Sequence, residues 1–348
     1  MVKIKFSNLM VGYDVVVVGG SAAGTSFLES IDSKKYNVLL VDYKKLPHFK
    51  PCSGILVSNA KEHLASKDFP KKVLAKPENL HLTYLDWTTG KENKTKKHFV
   101  NTRRTNLDAW LFSEIKQKEG ISISEETKLV DFFYTADNKF IVLILECNGQ
   151  TKSVVTKYLV GCDGAMSMVR KKLYPREIPY YVAMQEVIPN FTLGEAYFIF
   201  DEEITDFYGW LIPKAKGVEV GIAVPPAKSK ALFEKFKKKV ATKFGITGQG
   251  ILQSAIVLRP ESIKDIFLGK GAILVCGEAA GLISPSSAEG ISFALISGKV
   301  GAEAINRCSK NPLKEYTKKC THLIDRLNLK FEKSKKIKSA GKRKTLFE

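Results

Sequence analysis

Short unbroken apolar runs alternate along the chain with helical and strand-like periodicities. Tyr13-Asp14-Val15-Val16-Val17-Val18 is a β-branched run that ends on Gly19-Gly20, the pattern of a strand buried on both faces of a parallel sheet. Residues 21 to 30 read as a helix and Asn37-Val38-Leu39-Leu40-Val41-Asp42 as a second strand, so the chain begins with a βαβ unit. Residues 46 to 56 carry Pro47, Pro51 and Gly54 and read as a loop, followed by a helix over 58 to 66. Residues 80 to 100 suggest short strands with a turn at Thr89-Gly90. Over 106 to 118, Leu107, Trp110, Leu111 and Ile115 share one helical face. Residues 121 to 160 alternate like antiparallel strands, with turns near Asp137-Asn138 and Asn148-Gly149.

Strand-like periodicity returns over 180 to 224, then helical periodicity over 228 to 244. Residues 272 to 276 form another buried strand, and helices are predicted over 289 to 308 and 312 to 335, with a polar, frayed last dozen residues. Parallel-sheet signals at the start and near 275, separated by strand-rich sequence, predict an α/β fold (α+β overall). One Rossmann-like domain is assembled from separated segments, and an antiparallel sheet is inserted between them. The expected division is 1–75, 100–178 and 260–310 for the first domain, 76–99 and 179–259 for the inserted sheet, and 311–348 for a basic C-terminal helix and tail.

Composition narrows the class. With 348 residues and 44% hydrophobic content, the chain is globular rather than disordered. No apolar run reaches the roughly 18 residues that cross a bilayer. The opening Met-Val-Lys-Ile-Lys-Phe lacks a signal-peptide core, which predicts a cytoplasmic protein. The six cysteines include no C-x-x-C pair, and the five histidines have no ligand spacing, so no protein-bound metal is expected. Cys162 and Cys276, in buried strands, read as packing residues. Lys+Arg number 55 against 36 Asp+Glu, a formal charge of +19. Lysines crowd 91–97, 228–243 and 314–344. Such a surface is either simply solvated or attracts anionic lipid headgroups, an acidic protein or nucleic acid. No nucleic-acid motif accompanies it, which argues against that last partner.

Three segments carry candidate chemistry. Gly19-Gly20-Ser21-Ala22-Ala23-Gly24 is a G-x-S-x-x-G turn leading into a helix, where a dinucleotide pyrophosphate would meet free N–H groups. Asp42, 23 residues after Gly19, stands where an acid can bond a ribose hydroxyl. The second segment is Gly161-Cys162-Asp163-Gly164, and the third is Cys276-Gly277-Glu278-Ala279-Ala280-Gly281, continuing to Ala288-Glu289-Gly290-Ile291.

In this order the three segments resemble the FAD-dependent oxidoreductases of the p-hydroxybenzoate hydroxylase superfamily. The resemblance implies FAD bound by Gly19, Gly20, Ser21, Ala22, Ala23, Gly24 and Asp42, by Asp163 and Gly164, and by Gly277, Glu278, Ala288, Gly290 and Ile291. Glu278 replaces the usual aspartate of that superfamily. Arg104, ahead of Leu107-Asp108-Ala109-Trp110-Leu111, matches a further FAD-contacting arginine. Lys50-Pro51-Cys52-Ser53-Gly54-Ile55-Leu56 and Tyr208-Gly209-Trp210-Leu211-Ile212-Pro213-Lys214 resemble the Pro-Cys-Gly-Gly loop and Tyr-x-Trp-x-Phe-Pro-Lys segment of the geranylgeranyl reductase family.

That closer resemblance implies hydride transfer from reduced flavin to carbon–carbon double bonds of an isoprenoid or polyprenyl lipid. Cys52, Ser53 and Gly54 would flank the flavin. Cys52 is the candidate proton donor or gate, Tyr208 and Trp210 an aromatic wall, and Lys214 a further catalytic candidate. Phe198, Phe200 and Phe207 are candidates to line a prenyl tunnel. The reductant is NADPH or a ferredoxin-like acidic electron-donor protein, and the basic tail suggests peripheral contact with an anionic membrane. Two other readings stay open at this point. One is a flavin monooxygenase or halogenase acting on an aromatic substrate, since halogenases carry a related Trp-x-Trp-x-Ile-Pro segment. The other is a non-enzymatic polyanion-binding protein.

Overall fold

The computed structural model describes residues 11–48, 50–65, 67, 69–307 and 311–343. Val11–Val18 lies at the centre of an eight-stranded sheet, with Val15, Val16 and Val17 fully buried. It pairs in parallel with Val38–Val41 on one side and Gln150–Gly161 on the other. Ile121–Ser124 extends the sheet beyond Val38–Val41, and Ile273–Val275 extends it beyond Gln150–Gly161. Residues 121–160 are therefore not uniformly antiparallel, contrary to the expectation from alternation. Ile121–Ser124 is a parallel strand, and only Thr127–Tyr134 and Ile141–Cys147 form antiparallel pairs, ending on the long strand Gln150–Gly161. Period-two alternation reports one buried face and is blind to strand direction.

Helices Ala22–Ser30 and Ile291–Asn306 pack together on this sheet. Their crossing is held by the Ser26 hydroxyl, which donates to the Leu295 carbonyl at 2.7 Å. The predicted end of the second helix at Cys308 lies outside the described residues. Arg104–Lys116 buries Leu107, Trp110, Leu111 and Ile115, as its periodicity requires.

The second sheet has seven strands. From one edge to the other they are Gln253–Leu258, Tyr180–Pro189, Gly217–Val224, Thr205–Lys214, Ala196–Asp201, Leu82–Asp86 and Lys91–Lys94. Its residues divide by parity, because side chains alternate across a strand. Leu211, Val220, Ile222 and Met184 meet helix Ser229–Phe244 through Phe233, Phe236 and Val240. Tyr208, Trp210, Ile212, Ala223 and Ala183 face the other way. A three-stranded sheet of Ile55–Leu56, Phe99–Thr102 and Leu74–Leu80 lies beside both layers. The expected boundary at 75/76 falls inside its last strand.

The C-terminal helix Pro312–Ile337 starts with a proline in its first turn and an Asn311 side chain that accepts the Lys314 N–H at 3.0 Å. Tyr316, Cys320, Leu323, Leu327, Phe331 and Ile337 form its buried stripe. The frayed tail expected from composition is overturned up to Arg343. A short helix, Ala340–Arg343, buries Arg343 to 1% exposure. Its guanidinium grips both carboxylate oxygens of Asp86, at 2.9 and 3.2 Å, on the seven-stranded sheet. A single buried ionic anchor outweighs the local polarity of the segment. Residues 344–348 lie outside the described chain.

Candidate functional site

The turn after the first strand is shaped by its glycines. Gly19 has φ +99°, and a Cβ on Gly24 would lie 1.9 Å from the Gly19 carbonyl oxygen. Side chains there would close the turn by which backbone N–H groups approach an anion. Helix Ala22–Ser30 has neither an acidic residue in its first turn nor a side-chain cap, so its positive end is left for a ligand. Ser21 fills the position usually held by the middle glycine. Its hydroxyl accepts from Arg104 Nη2 at 2.9 Å, while Arg104 Nε donates to Asp108 at 2.9 Å. Burial works against the Arg104 charge, but Asp108 and the neighbouring Cys52 sulfur outweigh it and raise the pKa, so the guanidinium stays cationic beside the turn.

From this turn a continuous cavity of about 370 Å³ runs to the free face of the seven-stranded sheet. Of the expected residues, it gathers Ser21, Ala22, Ala23, Cys52, Ser53, Arg104, Gly164, Tyr208, Trp210, Glu278, Ala288, Gly290 and Ile291. Phe198 and Phe207 line it too; Phe200 is buried beside them. Cys162 and Cys276, expected only to pack, are buried and also reach its wall.

Several expected residues act from behind the wall instead. Asp42 accepts the Gly20 N–H at 2.8 Å and the Lys44 N–H at 3.0 Å, so its carboxylate braces the turn. Asp163 receives the Met168 and Val169 N–H groups and caps the helix Met168–Leu173. Gly277 donates its N–H to the Ser297 hydroxyl at 2.9 Å. Gly54 lies beside Thr102, to which its carbonyl is bonded. Lys214, a catalytic candidate by sequence, does not reach the cavity. Its ammonium is buried and spent on the Ser53 carbonyl at 2.7 Å, Asn101 Oδ1 at 2.9 Å and the Thr102 carbonyl at 3.3 Å. It thereby ties the Cys52 loop to the second sheet. Burial lowers the Lys214 pKa and raises that of Glu219, 4.0 Å away, with each partner opposing the other's shift. Glu219 in turn accepts the Trp210 indole N–H at 3.1 Å and fixes that ring.

Glu278 lines the cavity, but its longer arm is engaged. It accepts the Leu258 N–H at 2.9 Å and pairs with Lys50 at 3.0 Å. Tyr208 donates to the Ser287 carbonyl at 2.7 Å, and burial pushes its phenol pKa far up, so it remains a neutral donor. Sequence reasoning missed Lys50, Gln185, Ala183, Ala223 and Ala255, which also line the cavity. Their signal was parity: Ala183 and Gln185 alternate with buried Met184, but which face is functional depends on a register that only the folded sheet supplies.

A glycine turn that Cβ atoms would fill, an uncapped helix start and a fixed guanidinium fit a dinucleotide diphosphate, and the cavity continues from them toward an aromatic wall. The chain belongs to the FAD-binding domain family, whose model matches residues 12–186. It is a flavoprotein, and its family is one of FAD-dependent oxidoreductases. Among curated proteins it is 31% identical over 303 residues to Protein CbrA of Escherichia coli O1:K1, with 83% of this chain and 80% of that protein covered. Two solved structures share the fold. A geranylgeranyl bacteriochlorophyll reductase-like protein from Thermoplasma acidophilum aligns with a TM-score of 0.77 at 18% identity, covering 94% of this chain and 88% of that one. PqsL, a probable FAD-dependent monooxygenase from Pseudomonas aeruginosa, aligns at 0.74 and 12% identity, covering 97% and 98%. Among the described residues no helix is long and apolar enough to cross a membrane.

Proposed function

We propose that this flavoprotein reduces carbon–carbon double bonds in an isoprenoid or polyprenyl lipid. The supporting observation is the single cavity that joins the glycine turn to an apolar sheet face walled by Tyr208, Trp210, Phe198 and Phe207. When bound, reduced FAD would supply the hydride, and its two electrons would be restored by one NADPH or by two successive one-electron deliveries from an acidic ferredoxin-like protein. Ser21, Ala22, Ala23 and Arg104 would hold the diphosphate. Ser53 and the helix start at Gly290-Ile291 would border the ring system. The aromatic wall orients the chain and excludes water, which keeps an apolar alkene in contact with the donor face.

Cys52 lies where the two halves of the cavity meet, and its sulfur accepts the Gly54 N–H at 3.4 Å. In this reading its thiol hands a proton to the second alkene carbon and is reprotonated from solvent before the next turnover. The lysine-rich C-terminal helix suits an anionic membrane surface or an acidic electron donor. Attraction of that kind weakens as salt rises, so high salt should slow reduction by the donor protein more than reduction by dithionite.

The test is anaerobic incubation of dithionite-reduced protein with geranylgeraniol, followed by mass analysis. A product that gains two hydrogens per reduced bond supports the reading. A product that forms only in oxygen and gains an oxygen atom supports the monooxygenase reading instead.

A further inference from the structure

The sheet face that meets the cavity is built in rows. In one row Ala255, Ala183 and Ala223 are cross-strand neighbours, and these small side chains leave a trough. The next row runs Gln253, Gln185, Gly221, Trp210, Phe198 and Tyr84, each opposite the next. Gly221 has a specific task in it. A Cβ there would lie 2.3 Å from Cε2 of the Trp210 indole, so the missing side chain lets the ring lie over the strand toward Gln185.

Gln185 is the polar side chain of this row that lines the cavity with an amide. It is 3% exposed and lines the cavity. Its Nε2 donates to Gln253 Oε1 at 3.0 Å, which fixes the plane of the amide. Its Oε1 is buried and has no hydrogen-bond partner among the described residues. A buried acceptor in an apolar wall is unfavourable until a donor reaches it. Glu186, next along the chain, and Glu219, two positions before Gly221 on the adjacent strand, already have partners of their own.

We propose that Gln185 is the recognition point for a hydroxyl group on an otherwise apolar ligand, with Gln253 as its positioning residue. The proposal rests on the reading of the cavity as a site for an apolar substrate and adds a polar contact to it. Oε1 accepts, so the ligand must donate, and on a lipid of this class the donor is a hydroxyl. The edge strand sets where that hydroxyl sits. Gln253 is five residues from Leu258, whose N–H meets Glu278. At strand rise this is roughly 17 Å, so the ligand is long and its hydroxyl end is remote from the glutamate.

The experiment titrates the FAD-loaded protein with geranylgeraniol and, separately, with its methyl ether, and follows the visible flavin band and tryptophan fluorescence. The alcohol is expected to bind about tenfold more tightly than the ether. Gln185→Leu should abolish that preference by weakening the alcohol while leaving the ether at least as tightly bound. Equal affinity of the wild-type protein for the two ligands overturns the hydroxyl contact alone, and this comparison needs no variant to fold. Equal weakening of both ligands in Gln185→Leu overturns it as well. Failure of both ligands to bind a fully flavinated protein overturns the apolar-substrate reading and the contact with it.

Discussion

Around Gly19–Gly24 the site is made of backbone; across Tyr180–Pro189, Thr205–Lys214 and Gly217–Val224 it is made of side chains. In the first region a few consecutive residues create the binding geometry, through a left-handed glycine, a close carbonyl contact and an uncapped helix. In the second, residues from separate strands create it by falling into one register, as Phe198, Trp210, Gly221 and Gln185 do with the still more distant Tyr84. The comparison separates two kinds of tolerance. The turn admits almost no substitution but specifies only that a dinucleotide binds. The sheet face can change residue by residue, and it is the part able to set which substrate is taken.

The largest expected effect breaks the first region. Gly24→Val drives a side chain into the Gly19 carbonyl, whose backbone cannot yield. Purified protein should be colourless, and thermal melting should report a loss of about 3 kcal/mol or more. A yellow, equally stable variant would remove the distinction between the two regions.

Next in size is the anchor that carries the C-terminal helix onto the sheet. Arg343→Met leaves Asp86 buried without its cation and should cost about 3–5 kcal/mol in denaturant unfolding. Asp86→Asn in the same chain should recover part of that loss. Burial alone would raise the Asp86 pKa, but Arg343 and the Thr88 and Thr89 N–H groups hold it below the ordinary 3.8. A lowered folded pKa means that this stabilisation is complete above 3.8 and is lost as pH falls below it. Protection of 337–343 from hydrogen exchange, taken relative to the intrinsic rate at each pH, should therefore fall in acid in the wild type, and in Arg343→Met it should be low at every pH.

Cys52→Ala tests the junction of the two regions. FAD content should be unchanged while anaerobic turnover falls about a hundredfold, the range for a lost proton donor. Unchanged turnover would make Cys52 a packing residue of the loop. The smallest effect belongs to Trp210→Phe, which keeps an aromatic ring but removes the donor to buried Glu219. Stability should fall by about 1–3 kcal/mol, and KM should rise with the flavin spectrum unaltered.

What could be read from sequence follows the same division. The βαβ start, the glycine turn, Arg104 and the late Gly277-Glu278 segment were legible because each is a local pattern with a local cause. The work of Asp42, Asp163 and Lys214 was not. Asp42 and Asp163 bind backbone N–H groups of the turns beside them, and Lys214 binds two carbonyls and Asn101 Oδ1 from the Cys52 loop and the strand Phe99–Thr102, contacts that no local pattern announces. Glu278 was legible as an acid at the cavity, but not its attachment to Leu258 and Lys50, which come from other parts of the chain. Gln185 and the alanine trough had only the parity of their strands, which does not say which face is functional. The basic tail misled in the opposite direction, because one arginine finding Asp86 across 257 positions decides its order.

The central claim is that the flavin turn and the apolar sheet face open into one cavity, and Ala223→Trp tests it most directly. This change fills the trough beside Tyr208 and leaves every residue of the turn in place. The variant should hold as much FAD as the wild type but no longer shift its visible flavin band when geranylgeraniol is added. A wild-type-sized shift in that variant would contradict the shared cavity.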